Sequence, residues 1–250
     1  MNTDVLIAHS FYQQIIEDTK PFFKGAKMSD KYMVDKNEND IPDLEHYIRY
    51  VTFYFIHLFS LCYQLERAIN LLSNFRADNK NEIGRGHHLT YNIENYFIRL
   101  DSLYDRNLQL VNAVFCLGFD DSKVKKDKVL KKISEVDDCN ELNNSLDELN
   151  KVLKKHSDEK RNVIVHRHSY YDQELEMIEM YYHPFYSKTI LEDPDRAENF
   201  KQIRKEQLSF YLRKKKKEFK EINEKSFEKI FIILNEIEKE YTLKKQKLSL

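Results

Sequence analysis

One short stretch of this chain gathers residues able to do acid–base and phosphate chemistry together: Lys160-Arg161-Asn162-Val163-Ile164-Val165-His166-Arg167-His168-Ser169-Tyr170. Arginine offers a planar, permanently charged fork that fits a phosphate and the charge developing on it. Histidine titrates near neutrality and passes protons to and from oxygen atoms. On a helix, Arg161 and His166 lie about 140° apart around the axis and about 7.5 Å apart along it. A single helix therefore does not bring both to one phosphate, whereas two antiparallel copies meeting on a two-fold axis can. Asn162 and Tyr170 stand four residues before and four after His166, which on a helix gives all three one face, so that either can orient the imidazole or hydrogen-bond a substrate. His168 also satisfies an Arg-x(4 to 6)-His spacing and returns to within about 20° of Arg161's face, so two registers are open. The spacing by itself is weak: with eleven Arg and nine His, chance supplies about one match, and the chain has two, both from Arg161. The bland alternative is a solvated polar helix packing through Val163 to Val165.

Other chemistries find little support. Neither G-x-x-x-x-G-K nor G-x-G-x-x-G occurs, and Gly84-Arg85-Gly86 reads as a loop. No histidine is preceded at three residues by Glu, which removes the helical di-iron class. His87-His88 in a glycine-containing loop reads as solvent-exposed rather than ligating. No Ser/His/Asp set can be singled out, and no metal or cofactor is expected. Cys62, Cys116 and Cys139 lie far apart without a C-x-x-C pair, which points to a reducing cytosol and a cytoplasmic protein. No secretory leader is visible, and the most apolar window, Val51 to Leu65, is shorter than the ~20 residues a membrane span needs. Lys plus Arg (41) balances Asp plus Glu (42), so attraction to nucleic acid has to come from local patches. The densest is Arg213 with Lys214 to Lys217, beside Phe210, Tyr211 and Phe219. Lys214 and Lys215 are the candidate phosphate contacts there, with the aromatics available for base stacking. Tyr181, Tyr182, Phe185 and Tyr186 read instead as core or interface.

The elements that must position these residues are helical. Four Gly and four Pro in 250 residues are far below the roughly 12% of an average chain, and apolar positions recur at three and four. The spacing predicts an amphipathic helix over residues 1–20 ended by Pro21, and a polar loop or lid from Gly25 to Pro42. A helix capped by Asp43 follows, running to about Phe75 and apolar all round from Val51 to Leu65. A loop from Arg76 to His88 precedes a helix opened by Thr90 and closed by Gly118. Next come a short helix within 120–140, a stripe of Leu142, Leu146, Leu149 and Leu153, and a new helix capped by Ser157 that carries Arg161 to about Tyr170. Residues 172–198 hold eight acids and 201–220 nine bases; a helix then runs to Tyr241, with Lys244 to Leu250 frayed.

An Arg-Asn-x-x-x-His motif after two long core helices and a shorter third, in a chain with nothing sheet-like, resembles the HEPN superfamily. These are all-α bundles whose RNase members carry Arg-x(4 to 6)-His, commonly with Asn or Asp after the Arg, as in Arg161-Asn162-Val163-Ile164-Val165-His166. The stretch Glu94-Asn95-Tyr96-Phe97-Ile98-Arg99-Leu100-Asp101-Ser102-Leu103-Tyr104-Asp105-Arg106 also looks like a core helix of larger bacterial members. The resemblance covers roughly residues 43–170. It implies a helical bundle at 43–185, a helix and polar loop added at 1–42, and a long helical extension packed on the bundle at 186–250. It also implies a homodimer cutting RNA without metal, by attack of the 2′-OH at a site composed from two motifs, in a toxin or defence effector. Arg161 and His166 would then be catalytic, with Asn162, His168, Tyr170, Lys214 and Lys215 contacting substrate. The alternatives are a non-catalytic HEPN interaction module and a nucleotide-binding one. Some HEPN toxins have a Tyr two residues after the motif His that a partner nucleotidyltransferase modifies. Here His168 holds that place in the first register and Tyr170 in the second, and an antitoxin or regulatory partner protein belongs to the same expectation.

Overall fold

Scarce helix breakers and three–four periodicity give what they predict: in the computed structural model, which describes residues 2–23, 42–73, 84–136 and 139–250, every described element is helical. In chain order these are α1 (Thr3–Ile7), α2 (Ser10–Phe23), α3 (Asp43–Leu71), α4 (Arg85–Val114), α5 (Lys126–Ile133), α6 (Asn140–Leu153), α7 (Glu159–His166), α8 (Gln173–Tyr182), α9 (Pro184–Leu191) and α10 (Pro194–Leu248). A 3₁₀ turn, Asp121–Lys123, precedes α5, and a π-helical turn, Lys154–Asp158, joins α6 to α7. The expected lid over 25–41, and the expected helix end at Phe75, fall outside the described residues. No described helix is long and apolar enough to cross a membrane.

The chain packs as two units, one of Met1–Tyr63, Ser102–Lys155 and Glu224–Leu250, the other of Gln64–Asp101 and His156–Asn223. α3, α4 and α10 each contribute residues to both units.

In the first unit the expected single N-terminal helix is two. The chain breaks at His9, whose Nδ1 accepts the Phe11 N–H at 3.0 Å, so that Nε2–H donates to Asn235 Oδ1 at 2.8 Å. Pro21 does not end α2. It lies in the last turn, where its missing N–H costs one hydrogen bond and the helix continues to Phe23. Phe11 packs edge-on against Phe55 and Tyr241, and Tyr12 lies against Phe59. Burial of such rings dominates core energetics. The middle of α3 is not apolar all round in its surroundings: Val51, Phe55, Leu58 and Cys62 are buried, but Ile56 is 50% exposed and His57 lies on the same open side.

The expected glycine cap of α4 is displaced as well. The Leu117 N–H reaches the Asn112 carbonyl at 3.1 Å and the Cys116 N–H that of Ala113 at 3.3 Å, the paired bonds of a Schellman motif. The left-handed residue is therefore Cys116, at φ 52°, with Gly118 (φ 76°) in the loop beyond. The Asn112 side chain holds that loop by donating to the Phe119 carbonyl at 2.9 Å and accepting the Phe119 N–H at 3.2 Å. A non-glycine residue pays steric strain in this conformation. Cys116→Gly is expected to stabilise the protein by about 0.5–1 kcal/mol, net of the entropy glycine adds to the unfolded chain, read as a higher urea midpoint.

In the second unit the expected loop at Gly84-Arg85-Gly86 is the start of α4. A Cβ on Gly86 would lie 1.9 Å from Glu179 Cγ and 2.9 Å from Glu179 Cβ, so glycine is what allows α8 to approach this turn. Glu179 also accepts a hydrogen bond from the Thr90 hydroxyl at 3.0 Å. Gly86→Ala should cost about 1–3 kcal/mol through overpacking, seen as a lower thermal midpoint. α10 extends past the expected fraying point to Leu248, and its buried stripe here is Leu208, Tyr211, Lys215, Phe219 and Ile222.

Candidate active site

The motif helix does not start as a new, Ser157-capped element. Ser157 is buried inside the π turn that carries α6 into α7, and Asp158, at the α7 N-cap, makes no capping bond. The helix also ends sooner than Tyr170. The Val163 carbonyl accepts both the Arg167 N–H (2.9 Å) and the His168 N–H (3.1 Å), and His166 is the last helical residue. Arg161 and His166 therefore share one helix, whereas His168 and Tyr170 lie beyond it and share no helix face with Asn162.

Arg161 is gripped from two sides. Its Nε lies 3.3 Å from an Asp101 carboxylate oxygen on α4, and its Nη1 donates to Asn162 Oδ1 at 3.3 Å. Asn162 in turn donates through Nδ2 to Asp158 Oδ1 at 3.2 Å. The Asn162 amide thus faces the arginine and not the imidazole. Asp101 and Arg161 side chains are 34% and 38% exposed. His166 is exposed and has no hydrogen-bond or ionic partner among the described residues. His168 is exposed as well, its Nδ1–H donating to the Ser169 carbonyl at 2.8 Å.

Residues on either side of the Arg161–His166 motif are fixed to α4 and α10. Before the motif, the Lys160 ammonium sits 4.4 Å from the Phe97 ring centroid and 3.3 Å from Glu218. After it, the Tyr170 N–H donates to Glu94 at 2.7 Å, and the Tyr170 hydroxyl donates to Asp172 at 3.1 Å and accepts from the Lys215 ammonium at 3.0 Å. Lys215 also meets Asp172 at 3.1 Å and Glu218 at 3.0 Å, and its side chain is 7% exposed. Asp172 Oδ1 caps α8, taking the N–H groups of Glu174 and Leu175. Burial works against charge on Asp172 and Glu218, but Lys215 outweighs it and holds both carboxyls below their ordinary range. Burial likewise disfavours the Lys215 ammonium, yet Tyr170 and Glu218 outweigh it and raise its pKa. Below this network Tyr96 stacks on Phe219 at 3.7 Å between centroids and donates its hydroxyl to Asn223 at 2.9 Å.

The expected phosphate-binding run on α10 is therefore divided. Lys215 points inward as the cation of a buried ion cluster, and Tyr211 and Phe219 are buried and present no face for a base. Lys214 is half-exposed but paired with Glu174 at 2.8 Å. Phe210 alone of the three aromatics is open, at 55% exposure. Tyr181 and Tyr182 are half-buried, whereas Phe185 (72%) and Tyr186 (53%) are exposed. His87 and His88 sit in the first turn of α4, where Asn92 Nδ2 lies 3.4 Å from His88 Nδ1 and 3.3 Å from its Nε2.

Sequence reasoning missed Asp101 and Glu94 as partners of the motif segment. Both stand in the α4 stretch that resembles a HEPN core helix, and their spacing of seven puts two acids on one side of the helix with Phe97 between them. That is the signal that marks them.

Neither the curated proteins nor the solved structures include a match to this chain. A model of the Cthe2314-like HEPN family matches residues 75–238, starting later and ending later than the 43–170 expected and taking in much of α10. With well over half its length in that match, the chain belongs to the Cthe2314-like HEPN family, within the HEPN superfamily.

Proposed function

We propose that this chain is a metal-independent endoribonuclease of HEPN type, working as a homodimer and serving as a toxin or defence effector. The observation that carries the proposal is the contrast within α7: Arg161 is fixed by Asp101 and Asn162, while His166, five residues on, is exposed and unpartnered among the described residues. One copy supplies a prepared phosphate ligand and an imidazole about 140° away around the helix. Two copies related by a two-fold axis supply two of each. RNA bound across them would have its 2′-OH attack the adjacent phosphorus while the 5′-oxygen leaves, giving a 2′,3′-cyclic phosphate and a 5′-hydroxyl. One His166 accepts the 2′-OH proton and the other protonates the leaving oxygen, with Arg161 stabilising the charge that builds on the phosphate.

The test is cleavage of total RNA and of a labelled single-stranded oligonucleotide in EDTA, by wild type, Arg161→Ala, His166→Ala and His168→Ala, after each is shown to fold. Cyclic-phosphate ends lost in the first two variants support the nuclease. A folded, dimeric wild type that cuts neither substrate overturns it, as does a protein that stays monomeric at micromolar concentration. The exposed Phe185 and Tyr186 on α9 favour a second reading, a HEPN module that binds a regulatory protein. Substituting both by Ser would abolish such a contact and leave cleavage intact. A nucleotide site on the Lys214–Lys217 run is disfavoured by the inward-facing Lys215.

A further inference from the structure

A guanidinium approaches a phosphate with two parallel N–H groups, and which edge it offers is set by what holds its other nitrogens. In this chain Asp101 forms an ion pair at Nε of Arg161, and one Nη1 proton goes to Asn162, which Asp158 holds from behind. Nη2 makes no hydrogen bond among the described residues. Asp101 stands there because α4 presents Glu94, Phe97 and Asp101 at spacings of three and four. These take, respectively, the Tyr170 N–H after the motif, the Lys160 ammonium before it, and Arg161 within it.

We infer that Asp101 is a positioning residue for Arg161, fixing its Nε side so that the Nη2 edge is presented to the scissile phosphate, with Asn162 as the second arm of the clamp. The inference rests on the nuclease reading and adds to it a residue outside the motif. An ion pair exposed on both sides adds little to stability, so what Asp101 contributes is orientation. An arginine released from it keeps its charge and still attracts RNA, but samples many rotamers and meets the developing charge in few of them. Asn162 accordingly acts on Arg161 and not on the imidazole or the substrate.

The experiment compares wild type, Asp101→Ala, Asp101→Glu and Arg161→Ala by steady-state cleavage of one oligonucleotide. Asp101→Ala is expected to lower kcat about 10- to 100-fold with KM unchanged within about threefold, and Asp101→Glu to recover part of the loss. A merely structural role would lower the unfolding midpoint and the folded fraction, while folded molecules kept wild-type kcat. As a second readout, the Arg161 Nε–H resonance, assigned by its disappearance in Arg161→Lys, should exchange slowly in wild type and fast in Asp101→Ala. Wild-type exchange as fast as free arginine overturns the clamp whether or not the alanine variant folds. If wild type cleaves, Arg161→Ala does not, and Asp101→Ala matches wild type, the Asp101 assignment alone is wrong. If wild type cleaves nothing, the nuclease reading falls and the assignment with it.

Discussion

Replacing Lys215 by Met is expected to destabilise the protein by about 3–5 kcal/mol at pH 7, among the largest losses from one residue here. Met matches the length and volume of the lysine stem, so the loss is not a cavity. It arises because Asp172 and Glu218 are left with carboxylates that burial disfavours and that Lys215 had kept ionised. Lys160 still reaches Glu218, and Tyr170 with two backbone N–H groups still serves Asp172, which sets the lower end of the range. The pH dependence follows from the same shifts. In wild type both carboxyls have folded pKa values below the unfolded ones of about 3.9 and 4.3. Their contribution is therefore complete above about pH 5 and is lost as pH falls through the folded values. Lys215, shifted upward, contributes fully below its unfolded value of about 10.4 and stops contributing above its folded one. In the variant, protonating the carboxyls relieves the unpaired charge. The gap between wild type and variant should thus narrow as pH falls from 7 toward 4, read from urea unfolding at both values. A gap that widened on acidification would show that the carboxylates do not depend on Lys215.

His166→Ala should lower RNA cleavage about 10²–10⁴-fold, the range for loss of a positioned acid–base group. Arg161→Ala should lower it about 10²–10³-fold, as for loss of one donor to a developing oxyanion. Neither change should shift the unfolding midpoint by more than about 2 °C, because surface side chains outside the buried network contribute within about ±0.5 kcal/mol. His168→Ala should stay within a few-fold of wild type. α7 stops at His166, and the His168 ring is turned to the Ser169 carbonyl two residues past the helix. Should His168→Ala be the inactive variant and His166→Ala the active one, the seven-residue register would hold despite lying outside the helix. Single-turnover rates on one oligonucleotide decide between them.

The helical character was legible because it depends on what is missing, Gly and Pro, and on a periodicity that many apolar residues repeat. The motif was legible because its chemistry is local in sequence. What escaped depends on single residues whose roles are set by distant neighbours. Ser157-Asp158-Glu159 has the composition of a helix start, and nothing in it reports that Ser157 and Asp158 close a π-helical turn and that the helix never stops. Gly118 has the residue type for a left-handed cap, but the Asn112 and Ala113 carbonyls close the Schellman bonds with Cys116, two residues earlier, as the left-handed residue. Lys215 was hidden among like residues. Read at helical period, however, it falls four after Tyr211 and four before Phe219, on the stripe that α10 buries, so a charge run should be phased before it is called a surface.

The cluster formed by Lys160, Tyr170, Asp172, Lys215 and Glu218 bears on how such a motif can spread among proteins. Its ties span 45 residues from Tyr170 to Lys215 and 58 from Lys160 to Glu218. A segment cut at 185 would carry Arg161, Asn162 and His166 intact and leave three of the cluster's residues without their counterparts. The six-residue signature is therefore not a portable cassette. Grafting it onto another helical scaffold, or trimming the long last helix as an appendage, would transfer the letters of the motif without the framework that orients them.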